Sequence, residues 1–335
     1  MSADEAHLTF GPVPSRRLGR SVGINNIPPK CCSYSCVYCQ VGRTTRHVAT
    51  RRTFSDPGSI LSDVRRRLEE ANARSEHVDF LTFVPDGEPT LDLGLGSTID
   101  LLGELGVRIA VITNGSLLWR SDVREELMRA DLVSVKVDTV MEREWRSINR
   151  PCGGLRLDRM LESTEEFADS FEGILYTETM LLNGFNDNEE SISATAAFLG
   201  SLRPRVAWIG IPTRPPAECS VAAPGHEVSG MAYRMFSDAA GHAEFLTSYE
   251  GDEFSSTGDV VGDIKDILAV HPMREEALTA MLERADAPEG TLEDLVTEGA
   301  LLRKPFDGHD YYVLNDGVHR GKTSSIGKEG SEAGG

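Results

Sequence analysis

Short β-branched runs alternate with amphipathic stretches along most of the chain. That alternation is the pattern of βα units built around a parallel sheet. Strands are predicted over 22–27, 78–84, 108–113, 132–138, 174–182 and 206–212. Each is followed by a helical pattern. In 59–73, Ile60, Leu61, Val64 and Leu68 share one face and arginines and glutamates take the other. Later helices are predicted over 96–104, 121–129, 156–169, 188–201 and 226–239. Six strands with six intervening helices place the chain in the α/β class as a partial (β/α)6 barrel of TIM type; an open doubly wound sheet is the alternative.

The pattern changes near 249–259, where the sequence turns polar and glycine-rich and reads as a linker. Beyond it, 262–270, 274–284 and 292–298 read as three short helices. Two strands, 301–305 and 311–314, flank the Asp307–Gly308 turn. This order predicts a small winged-helix-like domain over 249–316, after a core over 1–248. The Gly/Ser/charged tail, 317–335, reads as disordered. Residues 251–316 hold sixteen acidic and five basic residues. A DNA reader needs the opposite sign on its recognition helix, so docking or packing against the core is the expected use.

Composition narrows the function classes. No apolar run approaches the ~20 residues of a membrane-spanning helix, and residues 1–6 lack the apolar stretch of a signal peptide. The expectation is a soluble, cytoplasmic protein with no membrane partner. The 335 residues carry 53 acidic and 34 basic side chains, a net charge of −19, which argues against a general nucleic-acid surface. Only Lys30, Lys136, Lys265, Lys304, Lys322 and Lys328 are lysines. Excess carboxylate with scarce lysine suits a surface adapted to high salt, or reflects an acidic protein from a GC-rich genome. The basic residues are concentrated in one place: Arg16, Arg17, Arg20, Lys30, Arg43, Arg46, Arg51 and Arg52. An anionic substrate and simple charge neutralisation are both open readings.

That basic stretch surrounds Cys31-Cys32-Ser33-Tyr34-Ser35-Cys36-Val37-Tyr38-Cys39, four of the six cysteines. Taking Cys32 first gives C-x3-C-x2-C, three thiolates on one tight loop, enough for three corners of a [4Fe–4S] cubane with the fourth iron open. A structural zinc site would need a second ligand pair, and Cys152 and Cys219 each stand alone. Cys31 as a fourth ligand would close the cluster.

C-x3-C-x-aromatic-C, with Tyr38 as the aromatic residue, resembles the signature of radical S-adenosylmethionine (SAM) enzymes. The phrase from Gly11 through Ser21, and on through Ile27-Pro28-Pro29-Lys30, resembles the iron–sulfur oxidoreductases similar to wybutosine-synthesising enzymes. The likeness covers roughly residues 8–245. It implies a [4Fe–4S] cluster on Cys32, Cys36 and Cys39 with SAM at the open iron, and reductive cleavage of SAM to a 5′-deoxyadenosyl radical. It also implies a reductant such as ferredoxin or flavodoxin.

The resemblance places SAM contacts at strand ends. Asp86-Gly87-Glu88-Pro89 stands where the family has a Gly-Gly-Glu-like element, and it keeps the small residue and the carboxylate: Gly87 admits the backbone to the ligand and Glu88 is suited to an ammonium. Asn114, in Thr113-Asn114-Gly115, is suited to a ribose or carboxylate. Ser134, Lys136 and Asp138 alternate onto one face of the fourth strand, with an internal Lys136–Asp138 ion pair as the structural reading. Glu178 follows the same inward logic, with Asn183 and Asn186 beyond it. Ile211 is suited to adenine, and Arg214 to an anion. Lys30 and Lys136 are candidate imine-forming lysines if the substrate is a carbonyl compound. No catalytic acid or base is assigned, and Cys152 and Cys219 read as unpaired thiols.

Other functions compete with an enzyme on an unidentified substrate, a structural zinc protein among them. Another is an iron–sulfur redox sensor with a winged-helix output. A third is tRNA modification of the wybutosine type, which the acidity and the absence of extra cysteines ahead of Cys31 disfavour.

Overall fold

A computed structural model of the chain describes residues 8–247, 254 and 258–315. The chain opens with β1 (Thr9–Ser15) and β2 (Gly19–Ile24), and the cysteine segment carries the short pair β3 (Cys31–Cys32) and β4 (Arg46–His47). There follow α1 (Pro57–Ala73), β5 (Phe80–Phe83), α2 (Leu95–Gly103), β6 (Arg108–Thr113), α3 (Ser121–Leu127) and β7 (Leu132–Lys136). Next come α4 (Glu142–Ile148), α5 (Leu157–Ser170), β8 (Ile174–Met180), α6 (Glu189–Leu202), β9 (Val206–Gly210), α7 (His226–Ala240) and β10 (Ala243–Phe245).

Eight of these strands form one sheet in the order β1-β2-β5-β6-β7-β8-β9-β10, parallel throughout except for the antiparallel β1–β2 pair. The six predicted strands are its centre. The sequence pattern missed the strand at each edge. β1 carries Pro12 and Pro14, and its register shifts between Phe10 and Val13; proline is tolerated at a sheet edge and hides the alternation that would reveal a strand.

Period-two alternation then sorts the side chains. Leu81, Phe83, Ile109, Val111, Val133 and Val135 face the helices, where they meet Ile60, Val64, Ile99, Leu102, Val123 and Phe167. Phe80, Ala110 and Leu132 lie on the opposite face in a separate small cluster with Leu18. The helices begin where their caps dictate. Asp56 accepts from the Ser59 amide at 2.8 Å ahead of Pro57, and Asn188 accepts from the Ser191 amide at 3.0 Å.

The remaining elements are α8 (Val260–Val270), β11 (Met273–Arg274), α9 (Glu275–Arg284), α10 (Thr291–Thr297), β12 (Leu301–Phe306) and β13 (His309–Leu314). The last strands pair through the Asp307–Gly308 turn, and β11 adds to give a small antiparallel sheet ordered β11-β13-β12. These elements enclose their own core, with Ile264, Ile267, Leu278, Met281 and Leu301 buried together. The unit is tied to the main sheet's helices by a buried ion pair, Arg67 of α1 to Asp263 of α8 at 3.0 Å, their side chains 2% and 5% exposed. Arg67 also donates to the Thr9 carbonyl at 3.2 Å. Most of the predicted linker and all of the predicted disordered tail lie outside the described residues. Among the described residues, no helix is long and apolar enough to cross a membrane.

Candidate functional site

Parallel strands all end on the same side, so the loops after β2, β5, β6, β7, β8 and β9 gather there. They enclose a cavity of about 280 Å³. Its lining brings together Cys32, Cys36, Cys39, Gly87, Glu88, Asn114, Lys136, Glu178 and Ile211, together with Lys30 and Arg214. Nine of the ten residues expected to hold metal or cofactor therefore converge. The exception is Ser134. It faces the predicted side of β7 but sits between Ile112 and Tyr176 in register, off the cavity lining, and its buried Oγ has no hydrogen-bond partner. Alternation predicts which side a residue faces; it does not predict how deep along the strand the ligand lies.

The cysteine loop is held from two directions. On one side the Glu88 amide donates to the Cys31 carbonyl at 3.1 Å. Gly87 (φ 153°) lies so close that a Cβ there would stand 2.0 Å from the Cys31 oxygen. The glycine is thus required by the cysteine strand itself, ahead of any ligand. On the other side, the segment after α4 is laced to the loop. Amides of Ser35 and Val37 donate to the carbonyls of Asn149 and Ile148 at 2.9 Å each, and the Cys152 amide donates to Ser33 at 2.9 Å. Cys31 turns into the core and is absent from the lining.

Donors surround the thiols. The Tyr34 amide and Asn114 Nδ2 approach Cys32 Sγ at 3.4 and 3.5 Å, and Asn149 Nδ2 approaches Cys36 Sγ at 3.5 Å. Burial pushes the Cys36 thiol up to about 12, reinforced by the negative charge of Asp138 and opposed by the Asn149 bond. Burial also raises Cys32 and Cys39, with Glu88 adding to the first and Asp86 to the second. Thiols that hold their protons this firmly become ligands by exchanging them for metal.

Glu88 lines the cavity and is also tied to its neighbours. Oε1 accepts from the Thr90 amide and from the hydroxyls of Thr90 and Thr113 at 3.1, 2.6 and 2.7 Å, while Oε2 accepts from the Asn114 amide at 2.7 Å. The carboxylate joins the ends of β5 and β6, and only Oε2 retains capacity toward a ligand. Burial raises its pKa against the pull of those hydrogen bonds.

The expected Lys136–Asp138 ion pair is replaced. Parallel register sets Lys136 beside Glu178, and Nζ lies 2.9 Å from Oε1. Arg17 engages the other oxygen, and Lys136 also lies over the Tyr38 ring, 4.9 Å from its centroid. Burial lowers the Lys136 pKa, with the Asp138 charge opposing. Asp138, past the strand end, instead accepts from Tyr38 Oη at 2.5 Å, Asn149 Nδ2 at 2.6 Å and the Met180 amide at 2.9 Å.

The basic cluster divides. Arg16, Arg17 and Lys30 line the cavity, Lys30 lying 3.0 Å from Asp86. Arg51 is buried as a strut that holds the Thr90 and Asp92 carbonyls and Asp122 at 2.7–2.9 Å, and it also pairs with Glu126. Arg43 meets Glu218, Arg20 meets Glu76, and Arg46 and Arg52 are exposed. Asn186 is buried as a tie between Leu182, Asp138 and Met180; Asn183, Cys152 and Cys219 also lie off the lining.

Sequence reasoning missed Asn149, whose neighbours gave no periodic signal, and Val270 of α8, which reaches the lining from the C-terminal unit. Beside it, His271 lies 3.2 Å from Arg214, which donates to Gln40 at 2.8 Å.

With this geometry in view, the radical SAM superfamily pattern matches residues 26–197, from the turn after β2 into α6. The chain belongs to the radical SAM superfamily. It is 44% identical over 310 residues to the UPF0026 protein of Methanocaldococcus jannaschii, covering 92% of this chain and 96% of that protein. Among solved structures it resembles a radical SAM methyltransferase from Sphaerobacter thermophilus, with a TM-score of 0.52 at 16% identity over 67% of this chain and 66% of that one. A structure of TYW1 with a lysine-pyruvate adduct bound is also similar, with a TM-score of 0.49 at 16% identity over 66% of this chain and 75% of that one. That likeness is one of overall shape. The superfamily is shown; the narrower wybutosine-type resemblance is not singled out. As a radical SAM enzyme of the UPF0026 family, the chain belongs with proteins that use a [4Fe–4S] cluster and SAM.

Proposed function

We propose that Cys32, Cys36 and Cys39 each bind one iron of a [4Fe–4S] cluster, and that Gly87, Asn114, Lys136, Glu178 and Ile211 border SAM at the fourth. The observation that carries this reading is the convergence of the three thiols with that set in one cavity. Among the described residues, no three or more His, Cys, Asp or Glu side chains gather around a single ion position. A cubane does not require that, since each thiolate binds a different iron. The donor set fits: three half-buried cysteines on the cavity, amide donors at two of their sulfurs, and Cys31 turned away.

When bound, the cluster and SAM supply an electron and a sulfonium whose reductive cleavage yields the 5′-deoxyadenosyl radical. The chain's own residues bind and orient. Lys136 and Arg17, bridged by Glu178, fix charge at one wall. Ile211 and Met180 offer apolar surface, and the loops exclude water. We read the core as a partial (β/α)6 barrel over 1–248, extended by an edge strand at each side. We read 249–316 as a winged-helix-like domain that reaches the cavity lining through Val270. The electron donor is proposed to be a small protein of the ferredoxin or flavodoxin type; the substrate is unidentified, and Arg16, Arg17 and Lys30 at the cavity favour an anionic one.

Anaerobic reconstitution with iron and sulfide, followed by SAM and dithionite, tests the site assignment. The expected result is about four irons per chain and release of 5′-deoxyadenosine and methionine, both lost in Cys36→Ser. Stoichiometric zinc without iron, or a loaded cluster that leaves SAM intact, would overturn it.

A further inference from the structure

Asn149 lies off the cavity lining but reaches the cysteine loop from behind. It follows α4, a helix too short and charged to be read from the sequence, and it is buried beneath the cysteine loop. Its main-chain carbonyl accepts from Ser35, inside the C-x3-C interval. Its Nδ2 meets two acceptors, Cys36 Sγ at 3.5 Å and Asp138 Oδ2 at 2.6 Å. Asp138 is itself pinned by Tyr38 and the Met180 amide, so the Asn149 amide group cannot turn away without breaking a short bond to a buried carboxylate. α4 anchors the other end of the segment, with Trp145 Nε1 donating to Tyr34 Oη at 3.0 Å and the two rings meeting edge to face at 6.0 Å.

A hydrogen bond to a cluster thiolate withdraws electron density from sulfur and favours the reduced, more negative cluster. Asp138, one bond further out, orients that donor. We propose that Asn149 is a positioning residue for the cluster, its amide oriented by Asp138 to donate to the Cys36 sulfur and raise the cluster's reduction potential. This rests on Cys36 being a cluster ligand. The residue touches neither SAM nor the reacting atoms. It acts through Cys36, by setting how readily the cluster accepts the electron that SAM cleavage consumes.

The test is a potentiometric titration of anaerobically reconstituted full-length protein, followed by the electron paramagnetic resonance signal of the reduced cluster. Iron and sulfide are counted in the same samples. Asn149→Leu keeps the shape and removes the donor; Asn149→Ala guards against a packing fault peculiar to leucine. Both are expected to keep the wild-type iron content and to lower the midpoint. At a fixed potential the ratio of reduced to oxidised cluster should fall about tenfold, ~59 mV for a one-electron couple. An unmoved midpoint in either cluster-loaded variant overturns the proposal. So does a loss of iron with an unchanged midpoint in the clusters that remain, which would make Asn149 a packing residue only. A wild-type protein that loads no cluster, or a Cys36→Ser protein that loads a full one, overturns the ligand assignment beneath it, and is distinguishable because neither result involves Asn149.

Discussion

Two parts of this molecule bury charge, and they use it differently. At the α1–α8 seam, Arg67 is enclosed with Asp263, Asp266 and the Thr9 carbonyl. At the cavity, Arg17 and Lys136 share Glu178, and Asp138 gathers three donors. Both join several oppositely charged residues that rarely lie inside a protein, although the Arg67 Nε is left without a partner. The seam is filled by its own side chains, so its charges serve to fix the C-terminal unit against the core. Arg17, Lys136 and Glu178 border about 280 Å³ of space, so these charges lie where a ligand can reach them. Partnering alone does not distinguish structure from function; what the partners enclose does.

Substitutions can break that distinction. The largest effect is expected at the cluster: Cys36→Ser should lower SAM cleavage by about a thousandfold or more, ~4 kcal/mol of barrier. The apoprotein should still unfold cooperatively at its wild-type temperature, followed by circular dichroism. Next, Arg67→Ala should cost about 3–5 kcal/mol of stability in urea unfolding, because it strands Asp263 in the interior. The apolar pair Arg67→Met with Asp263→Leu should restore most of that loss, while neither protein loses cluster iron below its unfolding transition. A seam variant that loaded no cluster while folded would erase the distinction between the two regions.

Glu178→Gln should act in the opposite sense. Losing a charge-assisted partner of Arg17 and Lys136 should weaken SAM or substrate binding roughly 10–100-fold, about 1.5–3 kcal/mol, read as Kd or KM on cluster-loaded protein. The smallest effect concerns Asp122, which flanks the Arg51 strut. The hydrogen bond from Arg120, and then that from Arg51, hold its carboxyl at about 2, against an ordinary 3.8. A depressed folded pKa contributes stability above the unfolded value, and that contribution disappears as pH falls from about 4 through 2. The side chain is 42% exposed, so solvent screening reduces the contribution to less than about 1 kcal/mol. Acid unfolding of Asp122→Asn should show that shallower slope.

Most of the sheet was legible because buried parallel strands and amphipathic helices have unmistakable periods. The six central strands and all nine predicted helices fall within a few residues of their predicted places. α4 was not legible: only Trp145 and Ile148 of its seven residues are buried, too few to show a period. β11 is two residues long, and the prolines of β1 conceal an edge strand. The cavity residues were legible from motif position and alternation, but their partners were not. Lys136 finds Glu178 across the sheet because register joins β7 to β8, and no local spacing encodes that. Glu88 was legible as a cavity residue, but its ties to Thr90, Thr113 and Asn114, which join two loops, were not.

The lacing of the cysteine loop has a consequence for the order in which the enzyme can mature. Its three thiols are contained in eight consecutive residues, but a principal contact of Cys36 comes from a side chain 113 positions later. A nascent chain extended through Cys39 carries the sulfurs without their scaffold. Contacts of such long separation form late, once the intervening loop entropy has been overcome. On the proposed ligand assignment, cluster loading is expected to follow the synthesis of α4 and Asn149, which a truncated chain ending before α4 would test by failing to retain iron.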